Sequence, residues 1–346
     1  MTEQVFQHPD IYRIDIPLTG NPLKNLNCYV IMDGGESLVI DTGFRNEECL
    51  QVLMEGLEEL GISLEHTRLF VTHLHSDHSG LAQYFDYPDT CIYMGKTEHR
   101  YLQKLMSGAI RQLRDLMYLA EGYPPEKYYE AENKNPAKIY MPNREFAVTE
   151  LQDGDEILVG SVKVTALEMP GHTPGLMCCY LEKEKIMFTS DHVLFDITPN
   201  ITNWPEMENP LGCYLKNLDR ILEYEVKTAF PAHRNLSDKT LRQRVEEIKL
   251  HHKKRLEEIL EIIKKQPGGA YEIAAGLTWS LRGKSWEQAP EKQKWFAVGE
   301  TLSHLEYLIE KGKVVRKQRE ASGKMYNIYT CELNGLPEDS YNFRNK

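Results

Sequence analysis

The stretch VTHLHSDHSG, residues 71–80, sets His73, His75, Asp77 and His78 within six consecutive positions, directly after an apolar, β-rich run. Crowding three imidazoles and a carboxylate at the end of a buried strand is costly unless each finds a partner. A shared cation is a partner that suits them all. His73 and His75 lie two apart at a strand end, so their side chains project to one side and can reach one ion. Asp77 and His78 follow where the chain turns and can face a second. A fold that uses this cluster must bring further ligands to it, each from the end of another strand.

Such residues follow. MPGHTPG at 169–175 presents His172 between two turn-forming glycines, FTSDHVLF presents Asp191 after a strand, and FPAHRN presents His233 after another. His73, His75 and His172 can take one ion and Asp77, His78 and His233 the other, with Asp191 bridging. Taken singly, His172 or His233 would read as a hydrogen-bonded loop residue; the dense cluster is what carries the metal reading. Asp41, in a DTG turn after a strand, reads as a carboxylate that orients a ligand histidine. His192, beside Asp191, reads as support behind the ligands or as solvated, and His8, His66, His99 and His304 as ordinary.

From Asn27 the chain alternates short β-rich runs with turns. CYVIMDGGESLVIDTG gives two strands about a Gly34-Gly35 turn, and residues 46–60 place Leu50, Leu53, Met54, Leu57 and Leu60 at helical spacing before Gly61. TRLFVTH is a strand, SGLAQYF starts a helix, and further strands fall at CIYMG, VKVTALEM, MCCYLE, KIMFTS and KTAFPAH. Two sheets packed together with helices outside would bury this pattern, an α+β arrangement.

Residues 98–145 interrupt the strands with helices. One stripe holds Leu102, Leu105, Met106, Ile110, Leu113, Leu116 and Met117, followed by Tyr118, Tyr123, Tyr128 and Tyr129. The plain expectation is a surface excursion packing on the body; the sharper one is a substrate lid formed by Met117, Tyr118, Tyr123 and Tyr128. Beyond residue 240 the strand signal stops. A charged helix over 241–265 precedes two shorter helices at 270–281 and 291–311, the last with a buried stripe of Phe296, Leu302, Leu305, Leu308 and Ile309. A hairpin then turns at Ser322-Gly323. Three helices and a terminal hairpin make a winged-helix-like unit. The expected division is therefore 1–240 with an insertion at 98–145, then 241–331, then a tail at 332–346.

Charge follows the same division. Residues 241–330 hold 18 lysines and arginines against 12 acids, a balance of +6, whereas the rest of the 346-residue chain is strongly acidic and brings the total to −11. Seven cysteines with no CxxC pair read as reduced thiols. The start lacks a basic-then-apolar leader, and no apolar run approaches the ~20 residues that span a bilayer. A cytoplasmic enzyme without membrane partners is the expectation.

THLHSDHSG, PGHTPG, SDHVLF and PAHR, in that order with VIDTG upstream, resemble the metallo-β-lactamase superfamily of binuclear metallohydrolases. The resemblance covers residues 27 to about 240. It implies the four-layer αββα sandwich of that superfamily, and the basic C-terminal part is similar to the winged-helix extension of one branch. Ser190-Asp191 and Ala232-His233 stand where many members have Gly-Asp and Gly-His, which alters pocket shape without removing a ligand. Branches that run diiron redox chemistry usually have Glu in place of the second histidine of the cluster; this chain has His75.

Two divalent ions held mainly by neutral imidazoles lower the pKa of a bridging water from ~15.7 to near ~7, so a hydroxide is available at neutral pH to attack a carbonyl or phosphoryl centre. Asp77 would orient it and pass a proton to the leaving group as the catalytic residue. Zinc fits the ligand set first, and iron or manganese satisfies the same groups. An ester or thioester of a small molecule suits the acidic body and the Leu/Met/Tyr-rich insertion. The alternatives are a phosphodiesterase or ribonuclease using Arg316, Lys317, Arg319 and Lys324 of the wing, and a DNA-binding regulator with a ligand-sensing lactamase-like domain. Read plainly, the wing is a solvated face or a homodimer contact, and the connecting helix shows His251, His252 and Arg255 to solvent, the alternative being that they lean toward the active site.

Overall fold

The computed structural model describes residues 2–281, 283–321 and 323–331; Ser322 of the expected turn and the tail at 332–346 lie outside the described residues. The first sheet takes β1 (Thr2–Phe6), β2 (Asp10–Leu18), β3 (Lys24–Asp33), β4 (Glu36–Ile40), β5 (Arg68–Val71), β6 (Ile92–Gly95) and β7 (Thr149–Leu151) in chain order. β1 to β4 pair antiparallel and β4 to β7 parallel. Parallel neighbours need a crossover. They receive it from α1 (Glu47–Glu59), from the short α2 (Ser76–Ser79), and from the insertion helices α3 (Lys96–Met106), α4 (Arg111–Ala120), α5 (Pro125–Asn133) and α6 (Pro136–Ile139).

The second sheet holds β8 (Glu156–Val159), β9 (Val162–Glu168), β10 (Met177–Leu181), β11 (Ile186–Ser190) and β12 (Thr228–Pro231), in the order β12-β11-β10-β9-β8. Its pairs are antiparallel except β11–β12, which α7 (Pro210–Ile221) connects. The period-two alternation of strands divides the residues between faces. In β3, Tyr29 and Ile31 turn to the core between the sheets, where they meet Phe188 and Phe230, while Leu26, Cys28 and Val30 turn outward onto Leu53 and Leu57 of α1. In β10, Met177, Cys179 and Leu181 face inward and Cys178 and Tyr180 outward. Both faces are covered, so these strands read as nearly continuous apolar runs.

Local signals set the helix ends. The Asn46 side chain accepts from the Cys49 N–H at 2.8 Å and caps α1, and Gly61 at φ 70° closes it. α8 (Leu241–Lys265) starts at a capping box in which Thr240 and Gln243 serve each other's backbone N–H. α9 (Ala270–Gly276), α10 (Glu291–Glu310) and the hairpin of β13 (Val314–Ala321) and β14 (Lys324–Cys331) follow. One apolar cluster joins these C-terminal elements to the outer face of the second sheet, to α7, and to Tyr118, Tyr123 and Tyr128 of the insertion.

Several expectations are corrected. The N-terminal strands β1 and β2, and the short β7 and β8, add to the expected set. Of SGLAQYF only Ser79 is in α2, as its last residue, and Ala82–Phe85 form a separate 3-10 turn. Leu113 and Leu116 are exposed, since the turn at Gly108 (φ 77°) resets the helical phase between α3 and α4. Phe296 is also exposed, its neighbour Trp295 taking the buried place. His252 and Arg255 are buried against His304 and Trp279, partners far along the chain. All seven cysteines are unpaired. No helix among the described residues is long and apolar enough to cross a membrane.

Candidate metal centre

The expected ligands follow four strands, and the supporting Asp41 a fifth. Asp41 follows β4, the His73–His78 cluster follows β5, and His172, Asp191 and His233 follow β9, β11 and β12. β9, β11 and β12 run the same way, so their C-terminal ends open at one edge of the sheet. Asp41 sits at φ 62°, a left-handed conformation that Asp tolerates better than most residues. Gly171, at φ 144°, passes so close to α7 that a Cβ there would lie 2.5 Å from Tyr214 Cα. Glycine is thus required in the turn that presents His172.

Two groups of ligand atoms result, each within 4.8 Å: His73, His75, His172 and Asp191 in one, and Asp77, His78 and His233 in the other. Asp191 spans them. Its Oδ1 lies 3.1 Å from His233 Nε2 and 3.6 Å from His78 Nε2, and its Oδ2 lies 3.5 Å from His172 Nε2. Asp77 Oδ2 is 3.4 Å from His233 Nε2 and 3.7 Å from His78 Nε2. All are buried except His75, which is half-buried.

Their outer nitrogens are tied to fixed acceptors. His78 Nδ1 donates to Asp41 Oδ2 at 2.7 Å, His172 Nδ1 to the Asn200 carbonyl at 2.8 Å, and His233 Nδ1 to the Asn25 carbonyl at 2.7 Å. With the proton on Nδ1, each Nε2 of the neutral ring carries a lone pair. Yet His78 Nε2 faces His233 Nε2 at 3.2 Å, and His75 Nδ1 stands 3.0 Å from His172 Nε2 and 3.1 Å from His73 Nε2. Asp77 Oδ2 and Asp191 Oδ1 add two buried oxygens without a hydrogen-bond donor. Facing acceptors of this kind are stable only with a proton or a cation between them. The donor set therefore fits divalent metal ions, of the borderline type that imidazole and carboxylate select.

The acidities agree. Burial pushes His73, His75 and His172 below the ordinary imidazole value, His75 to about 3. Burial would lower His78 and His233 as well, but Asp41, Asp77 and Asp191 outweigh it at His78, and Asp191 and Asp77 do so at His233, so both are raised. Burial would raise the Asp77 and Asp191 carboxyls; the surrounding rings instead hold Asp77 at about 2 and Asp191 below the usual carboxylate range.

Asp41 also accepts from the Thr72 backbone N–H and hydroxyl, both at 2.8 Å. Ser190 uses its hydroxyl here, donating to Thr72 Oγ1 at 2.7 Å. His192 is fully buried with its ring against Tyr214 rather than solvated. Of the residues read as a lid, Tyr118, Tyr123 and Tyr128 are buried against the C-terminal helices. Tyr118 stacks on Trp295 at 5.0 Å and 11°, an arrangement that adds ~0.5–1.5 kcal/mol beyond the area it buries. Met117 reaches the loop beside the ligands, accepting from Asn203 Nδ2 at 3.3 Å, and the Tyr118 hydroxyl meets Thr202 of the same loop.

Two contributors escaped the sequence reading. Glu98 of α3 is fully buried; its Oε2 accepts from the Leu74 N–H, between His73 and His75, at 2.7 Å, and its Oε1 from the Gly175 N–H, just past His172, at 2.6 Å. One carboxylate thus ties two ligand loops together. Burial raises its pKa to about 7 against the opposing pull of Thr173, Leu74 and Gly175. Trp204 donates from Nε1 to the His172 carbonyl at 3.0 Å and lies over His75, ring centroids 5.8 Å apart. Nothing local marks either: an acid in a first helical turn is commonplace, and a tryptophan in a loop has no period to betray it.

The family model of the metallo-beta-lactamase superfamily matches residues 22–233. The chain is 27% identical over 211 residues to an atrochrysone carboxyl ACP thioesterase of Pseudocercospora fijiensis, covering 61% of this chain and 48% of that protein. It is 24% identical over 322 residues to the lactamase-like protein adaB of Aspergillus niger, covering 82% and 85%. The chain spans about half the length of the thioesterases it matches. Among solved structures, a metallo-beta-lactamase family protein of Thermus thermophilus superposes with TM-score 0.75 and 28% identity over 93% of this chain and 98% of that one. A beta-lactamase domain protein of Burkholderia ambifaria superposes with TM-score 0.79 and 21% identity over 96% and 94%.

Proposed function

The chain belongs to the metallo-β-lactamase superfamily, and from that premise we propose that it is a hydrolase that holds two divalent ions and cleaves a small ester or thioester. The observation that carries the two-ion reading is the set of inward-facing imidazole nitrogens, each fixed as an acceptor by a hydrogen bond on its outer side. When bound, the ions supply a Lewis acid and a water acidified to near neutrality. Zinc is the first candidate, with iron or manganese satisfying the same donors.

The chain's own residues do the rest. Asp41, Asn25 and Asn200 hold three rings in the tautomer that turns a lone pair inward. Asp191 turns one oxygen toward each group and fixes their separation. Asp77 Oδ2, buried and without a donor, is the atom placed to hold a proton and pass it to the leaving group. The acyl substrate rests on relatives named as ACP thioesterases. The nuclease alternative rests on wing cations, of which Arg316 is already paired with Glu306. We read residues 241–331, α8 to β14, as the winged-helix-like unit, residues 1–240 as the four-layer sandwich with its insertion at 98–145, and the setting as cytoplasmic.

The test is a metal-analysed preparation assayed on acyl thioesters, lactones, phosphodiesters and short RNA. Thioester or ester turnover should accompany two bound ions, and His75→Ala should lower it at least about 100-fold, since even residues behind a ligand are worth 10–100-fold. Unchanged turnover in that variant, or no stoichiometric metal, would remove the assignment.

A further inference from the structure

Residues 191–209, between β11 and α7, begin with Asp191 and carry Asn200 and Trp204 against the other ligands. Asn200 offers its carbonyl to His172 Nδ1, and Trp204 donates to the His172 carbonyl while covering His75. His172 is gripped at both its ring and its backbone by this one segment.

The segment is in turn held by helices that lie beyond residue 233, outside the matched family segment. From α8, buried Arg244 donates to the Leu194 carbonyl at 2.5 Å and to the Ile197 carbonyl at 2.9 Å. From α10, the Gly299 carbonyl accepts from the Asn203 N–H at 3.1 Å, and Glu300 Oε2 accepts from Asn200 Nδ2 at 2.9 Å. A Cβ at position 299 would collide with Thr202 Oγ1 and Tyr118 Oη, so glycine lets the helix touch the loop. Glu300 is itself braced: its Oε1 is 3.7 Å from Arg255 Nε, and the Arg255 guanidinium lies 4.1 Å from the Trp279 ring centroid. The other ion's rings are held differently, His78 by Asp41 and His233 by Asn25, both in the first sheet's strands or the turns that follow them.

We infer that α10 is a positioning element for one metal position only, the one formed by His73, His75 and His172, and that Glu300 acts on it through Asn200. The inference rests on the two-ion reading above. It makes the C-terminal helices part of the centre rather than an appended module, and it makes the two positions respond unequally to a change in α10.

The experiment loads the full chain with zinc and follows removal by a chromophoric chelator, with cobalt(II) absorption as a second readout. The variants are Asn200→Ala, Glu300→Ala, Glu300→Gln and the double alanine variant. Asn200 is half-buried, so its truncation leaves the core intact, and circular dichroism of the metal-free proteins verifies folding. Asn200→Ala and Glu300→Ala should each weaken one ion 10–100-fold and leave the other as in the unsubstituted protein. The double variant should be no worse than either single one, because both remove the same tie. Glutamine at 300 retains an oxygen for Asn200 and should restore the weakened ion.

Equal weakening of both ions, as general loosening would give, overturns the inference. So does unchanged affinity for both ions in folded Asn200→Ala. An unsubstituted chain that never takes up a second ion removes the two-ion reading and this inference together, an outcome distinct from the other two.

Discussion

Replacing Glu98 by glutamine changes one oxygen to an amide nitrogen at a site where both oxygens accept. The Leu74 and Gly175 N–H groups approach at 2.7 and 2.6 Å in a fully buried place. The glutamine oxygen can keep one of them. The other then faces an NH2 group, leaving a buried backbone donor and a buried amide donor without acceptors. Each such orphan costs about 1–3 kcal/mol, so the two together should cost roughly 2–6 kcal/mol of stability. The comparison is urea unfolding of both metal-free proteins at pH 8, above the side chain's pKa of about 7, so that the native carboxylate is ionised. Both N–H groups belong to ligand loops of one position, so zinc held by His73, His75 and His172 should also bind 10–100-fold more weakly. A stability loss under about 0.5 kcal/mol with unaltered zinc affinity would refute the claim that this carboxylate holds the loops, since no orphan of ordinary cost would then exist.

Two further outcomes follow from the buried imidazoles. Asp191 and Asp77 raise the His233 pKa in the metal-free protein, and a ligating nitrogen must be free of its proton, so zinc uptake should release protons; calorimetry in buffers of different ionisation enthalpy counts them, and a buffer-independent heat would contradict it. Burial pushes His304 down to about 3, so the unfolded chain protonates first as the solution is acidified. Its contribution is whole above the ordinary pKa near ~6.5 and is lost on acidification toward the folded value, at up to ~1.4 kcal/mol per pH unit. His304→Gln should flatten that slope in urea unfolding between pH 7.5 and pH 5, and parallel curves for the two proteins would exclude it.

The His/Asp cluster is legible because its information is dense and local: four candidate ligands in six positions at a strand end, then three more residues at strand ends in turn. α8 is legible as a charged run over 241–265 ended by Pro267-Gly268, whereas its capping box at Thr240 and Gln243 emerges only in the structure. What stayed hidden depends on partners distant in sequence. β2 escaped because Ile11 and Ile14 are buried three apart, so a simple alternation fails there. His252 and Arg255 sit in a charge-rich helix that reads as solvated, and only His304 and Trp279 on later segments bury them. Tyr118, Tyr123 and Tyr128 look like rings looking for a ligand until α10 is brought against them. Glu98 and Glu300 are acids among many, distinguished only by the loops that fold onto them.

The apolar cluster that unites the insertion, the outer face of the second sheet and the last helices has a bearing on how the molecule is made. A ribosome that has released residues 1–240 has delivered every candidate metal ligand, but Tyr118, Leu218 and Leu167 still lack Val298, Leu302 and Leu305. The nascent product carries a greasy, unfinished flank, prone to aggregation, until α10 has been made. The pocket's supporting face therefore closes only after α10 is synthesised, and a product cut after residue 240 keeps the candidate ligands while losing the helices that cover this flank.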